Sequence, residues 1–244
     1  EFLPVSSTGH LIIVRDLLGI QGGTGFEVDV LLNMAAVLAI VVYFFFDIWG
    51  ILKGVIRRDR NQTTLFFALI LGTIPAVLFG LLFQNVIENS LRSSLYVAAG
   101  LLMGSAIFYL AEKYKNELRQ ITIGRGLIIG FFQALALFPG MSRSGMSISG
   151  GLLMGLSREQ ATRFAFLLSA PIILGAGAKE VWALFQNGII VSDLMPILLA
   201  CFVAFVSALF AIHVMLRFVR THSLMPFIWY RVALALIIIF IAYY

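Results

Sequence analysis

Charge is what this sequence has least of. Only 12% of its 244 residues are charged and 61% are hydrophobic, with a mean hydropathy of +1.00. An ordinary soluble domain carries about 25% charged residues. A soluble globular fold is therefore excluded, and there is no room for a separate soluble domain. Residues 1–244 are expected to form a single integral membrane domain. Cysteine is nearly absent too. Cys201 is the only one and lies in an apolar run, which excludes an intrachain disulfide. The net charge of +5 is small and segregated to one side, which points to orientation in a bilayer and away from nucleic acid. No signal peptide is visible, and a polytopic chain needs none. The chain lacks an initiator Met and opens inside a motif, so an N-terminal piece is expected upstream of Glu1.

Against this scarcity, Arg143 stands out. It lies in Phe138-Pro139-Gly140-Met141-Ser142-Arg143-Ser144-Gly145, between two apolar segments. Pro139 and Gly140 break the preceding helix, Ser142 and Ser144 offer hydroxyls, and Gly145 permits close approach. Charge and broken backbone at membrane depth are tolerated only when buried in protein or lining a polar cavity. A guanidinium forks onto two phosphate oxygens. The reading is an anion site for phosphate; the plainer alternative is a structural arginine tying helix ends together.

The first ten residues have the same build. Laid on residues 137–146 without gaps, they pair Phe2 with Phe138, Ser6 with Ser142, Thr8 with Ser144 and Gly9 with Gly145, an offset of 136. The rest of the chain follows that offset. Spans are expected near residues 29–52, 65–84, 94–111, 164–186, 194–216 and 226–244. Residues 127–138 and 146–156 are too short to cross and flank Arg143 as arms of a re-entrant hairpin. The apolar part of 11–26 is the return arm of the first hairpin, followed by a loop. The expected fold is all-α: two inverted-topology repeats, 1–115 and 116–244, each a re-entrant helix hairpin plus three transmembrane helices.

The basic residues fit this layout. Lys53, Arg57, Arg58, Arg60, Lys113, Lys115, Arg119, Arg125, Arg158, Arg163, Arg217, Arg220 and Arg231 fall on one side, thirteen of seventeen. Arg15, Arg92 and Lys179 fall on the other, and Arg143 lies between. The positive-inside rule puts the thirteen in the cytoplasm. The first hairpin then enters from outside, the second from inside, and the C-terminus ends outside. Pro75 and Pro171 read as kinks, and the Tyr43-Phe44-Phe45-Phe46 run with Trp49 as lipid-facing or interfacial packing.

If both tips reach the midplane, each presents a helix start with free N–H groups and a positive dipole end. Ser6, Thr8, Ser142, Arg143, Ser144 and Gly145 are the candidate phosphate ligands. Glu1 and His10 add a carboxylate and an imidazole, a set suited to phosphoryl chemistry. Glu1 repels phosphate unless a divalent cation, Mg²⁺ or Ca²⁺, lies between; it is the candidate metal ligand. Plainer roles stand beside these. His10 also reads, less readily, as a hydrogen-bonded interface histidine and Glu1 as a terminus without a role, while Ser6 and Thr8 read equally as helix caps, a role compatible with function. Ser7 and His10 are three residues apart, on one face of a helix, where they could share a proton.

The two motifs, residues 1–10 and 139–145, resemble the signature motifs of bacterial undecaprenyl pyrophosphate phosphatases of the BacA type. The resemblance covers essentially the whole chain in motif order and span layout. It implies hydrolysis of undecaprenyl pyrophosphate to the monophosphate carrier of peptidoglycan synthesis in the bacterial cytoplasmic membrane, with the site open to the external side. It also implies bacitracin resistance on overproduction. The family's first motif has two glutamates four residues apart; Glu1 matches the second, and the first would lie upstream. By position, Ser7 and His10 match the family's catalytic hydroxyl and imidazole, and Arg143 its phosphate-binding arginine. Catalytic residues are thus expected at Glu1, Ser7, His10 and Arg143. The attacking group stays open between Ser7, His10 and water. Expected partners are the polyprenyl pyrophosphate and membrane lipids, with a homodimer left open and no nucleic acid. The rival reading is a polyprenyl-phosphate transporter or flippase with the same midplane site; a membrane scaffold is weaker, because it has no use for Arg143 between hydroxyl-rich tips.

Overall fold

The computed structural model describes residues 1–18, 26–90, 93–116, 119–187 and 194–243. The expected loop over 19–25, Arg92 and residues 188–193 lie outside the described residues, as do the side chains of Thr8, Arg15 and Lys179. Regular structure among the described residues is helical: α1 (Ser7–Leu18), α2 (Phe26–Tyr43), α3 (Phe45–Ile56), α4 (Arg60–Ser90), α5 (Ser94–Lys113), α6 (Ile123–Leu135), α7 (Arg143–Leu153), α8 (Arg158–Asn187), α9 (Leu194–Thr221) and α10 (Met225–Tyr243).

Local chemistry sets the helix starts. Asp59 Oδ1 accepts from the backbone N–H of Asn61 and Gln62 and opens α4. Ser157 and Gln160 form a reciprocal capping box at the start of α8, each side chain accepting the other's backbone N–H at 3.2 Å. Ser93, Thr122 and Ser142 cap α5, α6 and α7.

Four of these helices are long and apolar enough to cross a membrane among the described residues: Arg60–Phe83 of α4, α5, Met195–Thr221 of α9, and α10. The bent pair α2–α3 makes a fifth. The chain is a multi-pass membrane protein. The expected span 29–52 is in fact broken, with a 66° bend at Phe44. The bend has a packing reason. Phe44 is fully buried, its ring 6.4 Å from Phe166 and beneath the Arg163 guanidinium. This corrects the reading of the aromatic run, since Phe44 belongs to the core while Phe46 is 84% exposed. The segment expected at 164–186 lies on α8. Residues 164–170 of that helix are all buried, so α8 is a core axis with apolar surface all round.

The segment 127–156 is not one helix. α6 has 13 residues and α7 has 11, and 136–142 form a break between them. At about 1.5 Å per residue neither reaches across about 30 Å of hydrocarbon. Two devices seat this pair. On α6, Gly126 and Gly130 lie against Ala68 and Gly72 of α4. On α5, Gly100 and Gly104 lie under the carbonyls of Pro139 and Met141 in the break. Small residues four apart let backbones approach in lipid, where no hydrophobic drive brings helices together.

The N-terminal turns of α8 carry ion pairs to three helices: Arg158 to the buried Glu112 of α5, Arg163 to Asp47 of α3 at 2.6 Å, and Glu159 to Arg220 of α9 at 2.6 Å. Arg158, Arg163 and Arg220 thus gather at one end, as the charge pattern suggested. Arg231 does not join them. It is fully buried in α10, so it is no topology-setting surface charge. Position near a span end misassigned it.

Gly130→Ala should destabilise, because its Cβ would lie 2.0 Å from the Gly72 carbonyl oxygen, whereas at Gly124, on the same helix, a Cβ meets nothing within 4 Å. Overpacking of this kind costs about 1–3 kcal/mol, and alanine favours a helix by about 1 kcal/mol over glycine. Thermal unfolding in detergent should fall for Gly130→Ala and hold or rise for Gly124→Ala. Equal melting of the two variants would remove the close α4–α6 contact from the argument.

Candidate active site

Two tight turns face each other. In the first, the N–H of Val5 donates to the carbonyl of Leu3, Ser6 takes a left-handed φ of 67°, and α1 starts at Ser7. In the second, the N–H of Met141 donates to the carbonyl of Phe138, Gly140 sits at φ 90°, Ser142 at φ 69°, and α7 starts at Arg143. Left-handed backbone is strained for serine and persists only where the surroundings enforce it. The turns touch: Ser144 Oγ donates to the Leu3 carbonyl at 3.3 Å. Glu1, Phe2, Arg143 and Ser144 line one cleft, whose other wall is α8, through Ala165, Phe166, Ser169 and Ile173. Phe2 is buried and meets Phe166 edge-on at 5.4 Å, which pins the first turn to that wall.

The hydroxyl of Ser7 donates to Glu1 Oε1 at 2.6 Å. Ser7 therefore does not share its proton with His10, as their spacing suggested. Both ring nitrogens of His10 are engaged elsewhere: Nδ1 lies 2.8 Å from the Ser6 carbonyl and Nε2 lies 2.6 Å from the Tyr230 hydroxyl of α10. A carbonyl only accepts, so Nδ1 carries the hydrogen and, in the neutral ring, Nε2 accepts from Tyr230. The two rings stack at 5.5 Å. His10 clamps the backbone of the first turn.

The other expected ligands divide in two. Arg143 and Ser144 face the cleft. Ser142 Oγ accepts from the Gly145 N–H at 3.3 Å and lies 3.3 Å from Ser144 Oγ. Ser142 thus caps the start of α7 at Gly145, and Gly145 is buried with its Cα facing Arg231. Ser6 is buried at its turn. Sequence reading missed the α8 wall, Tyr230 and Arg231. A polar pair, Tyr230-Arg231, inside an otherwise apolar span was the signal available for the last two.

The cleft thus holds a carboxylate that accepts a hydroxyl proton, together with a guanidinium at a helix start, in a multi-pass membrane protein. The chain belongs to the BacA family: the family model described as bacitracin resistance protein BacA matches residues 1–237. It is 41% identical to the undecaprenyl-diphosphatase of Ectopseudomonas mendocina over 98% of this chain and 88% of that one. It is 37% identical to undecaprenyl-diphosphatase 3 of Acinetobacter baylyi over 99% and 92%. It is 40% identical to the undecaprenyl-diphosphatase of Acidothermus cellulolyticus over 98% and 90%.

The cleft wall carries its own test. Phe166 is buried between Phe2 and Phe44. Truncating a core Phe costs about 3–5 kcal/mol. Phe166→Ala should melt well below wild type, and proteolysis should cut residues 1–6 sooner. An unchanged melting curve would mean the first turn is not held through this wall.

Proposed function

We propose that this chain is an undecaprenyl-diphosphatase, releasing phosphate from undecaprenyl diphosphate and returning the monophosphate lipid carrier for cell-wall synthesis. Membership of the BacA family and the names of its relatives support the activity. The observation that carries the mechanism is the 2.6 Å bond from Ser7 to Glu1, a residue that lines the cleft together with Arg143. An unassisted serine is a weak nucleophile; a carboxylate that already holds its proton is the base it needs. Ser7 Oγ attacks the terminal phosphorus as its proton passes to Glu1. The phosphoanhydride bond breaks and the lipid monophosphate leaves. Water then cleaves the phosphoserine. Arg143 and Ser144 hold the phosphoryl oxygens, and this electrostatic contribution is usually the largest in such transfers. The two turns, through Ser6 in the first and Ser142 in the second, support those groups, Gly145 gives Ser142 its capping partner in α7, and His10 and Tyr230 hold the first turn in place.

The carboxylate set bears on the cation. No group of three or more His, Cys, Asp or Glu fit to hold a metal ion occurs among the described residues. Glu1 together with the diphosphate oxygens would suit Mg²⁺ or Ca²⁺, and the ion would neutralise phosphate charge.

The inverted-repeat architecture belongs to the same proposal. Its support is the offset of 136: Ser6 and Ser142 share one left-handed conformation, and a helix starts immediately after each. The proposed setting is the bacterial cytoplasmic membrane, with the cleft open to the external side and the polyprenyl tail leaving between helices into lipid. The apolar outer faces of α9 and α10 would meet lipid or, in a homodimer, a second copy.

Phosphate release from undecaprenyl diphosphate in detergent, where no second compartment exists, separates a hydrolase from a flippase. Ser7→Ala and Glu1→Gln should each lose on the order of 10²–10⁴ in turnover, and the double variant should lose no more, because the pair acts as a unit. Arg143→Lys should lose about 10²–10³ by giving up the fork. Tyr230→Phe should keep most turnover. Full activity in Ser7→Ala would remove serine as nucleophile and leave water activated by Glu1.

A further inference from the structure

The geometry points to Arg231 as a positioning residue for the Arg143 turn, acting through its backbone and not through substrate. The inference rests on the phosphatase reading above. Arg231 is fully buried, and a charge in that setting needs a reason. Its Nη2 donates to the carbonyls of Met141 at 3.0 Å, and of Gly140 and Leu101 at 3.4 Å. Nε and Nη1 make no hydrogen bond. The guanidinium is therefore aimed, through one nitrogen, at the two carbonyls that precede Ser142.

Those carbonyls belong to the non-helical break, which water does not reach in a membrane and which no helix partner satisfies. Ser142, next in the chain, holds the left-handed conformation that starts α7 and sets the direction of Arg143. Two glycines on different helices open the slot. A Cβ at Gly104 of α5 would lie 2.1 Å from Nη2, and one at Gly145 of α7 would lie 2.7 Å from Nη1. A surface-seeking or merely space-filling arginine has no use for such a slot. Its neighbour Tyr230 engages the opposite turn through His10. Adjacent residues of α10 thus grip the two halves of the cleft, one each.

The experiment measures kcat and KM for phosphate release from undecaprenyl diphosphate in detergent, with folded protein quantified by thermal melt. The variants are Arg231→Met, Arg231→Lys, Gly104→Ala, and Gly104→Ala combined with Arg231→Met. A displaced catalytic group costs about 10²-fold in rate for roughly 1 Å. Arg231→Met should therefore lose about that much kcat per folded molecule, with KM nearly unchanged, because lipid-tail contacts are untouched. Arg231→Lys should recover part of it, since an ammonium still donates to carbonyls. Gly104→Ala pushes the guanidinium out and should lose kcat on its own, but should add little in the Arg231→Met background. Wild-type kcat in Arg231→Met with only a lowered melting temperature would overturn the inference. So would losses that multiply in the double variant, or a rise in KM alone. If Arg231→Met does not fold, Gly104→Ala with wild-type kcat overturns it by itself. An inactive wild-type chain would instead sink the phosphatase reading, which keeps the two failures apart.

Discussion

Backbone that is not helical cannot lie in a membrane unless the protein itself satisfies its polar groups. The two turns at the cleft are non-helical backbone, and several of their carbonyls have named partners. The Leu3 carbonyl takes the Val5 N–H and the Ser144 hydroxyl. The Ser6 carbonyl faces the His10 ring. Gly140 and Met141 take Arg231. Of these partners, Ser144 and His10 are residues that sequence reading ranks for chemistry. Several partners are in the first instance the means by which a broken helix survives in oil.

Close approach follows from the same constraint. A turn can reach inward only if neighbouring helices leave room for bare backbone. Gly100 and Gly104 do this on α5, and Gly126, Gly130 and Gly72 draw α6 onto α4. The α6–α7 pair is thereby fixed at its root and at its tip. The α8 wall, buried all round over 164–170, closes the third side with Phe166 gripping Phe2. The site sits on rigid elements, as precise placement of reacting groups requires.

Much of this was legible in the sequence, and the failures have specific causes. The two turns announced themselves as Pro, Gly and Ser inside apolar runs, and five of the six expected spans overlie the four span-length helices and the bent pair, while 164–186 falls on α8, which is not among the candidate spans found in the described residues. The break at Phe44 was invisible, because its cause is a core contact with Phe166, 122 positions away in a different helix. The proton partner of Ser7 was misread for a related reason. Helical spacing favours His10, but the left-handed Ser6 folds Glu1 back over the helix start, and helical periodicity does not extend through a turn. The Tyr230–His10 bond spans 220 residues and has no local signature. Arg231 was counted as a surface charge because it lies near a span end; burial, not position, decides.

The offset of 136 gives the site a simple logic. Ser7 and Arg143 occupy the same place in their turns, each the first residue of a helix that follows a left-handed serine. One such place carries a hydroxyl held by a carboxylate, and the other a guanidinium. At a helix start the positive dipole end favours an anion whichever side chain is present. Two like turns thus supply two anion-favouring helix starts, and on the proposed mechanism the difference at this position gives attack to the first and charge neutralisation to the second. Two copies of Arg143 would bind phosphate without a nucleophile, and two copies of Ser7 would attack without a clamp. The proposed chemistry thus uses turns alike in backbone and unlike in this one side chain.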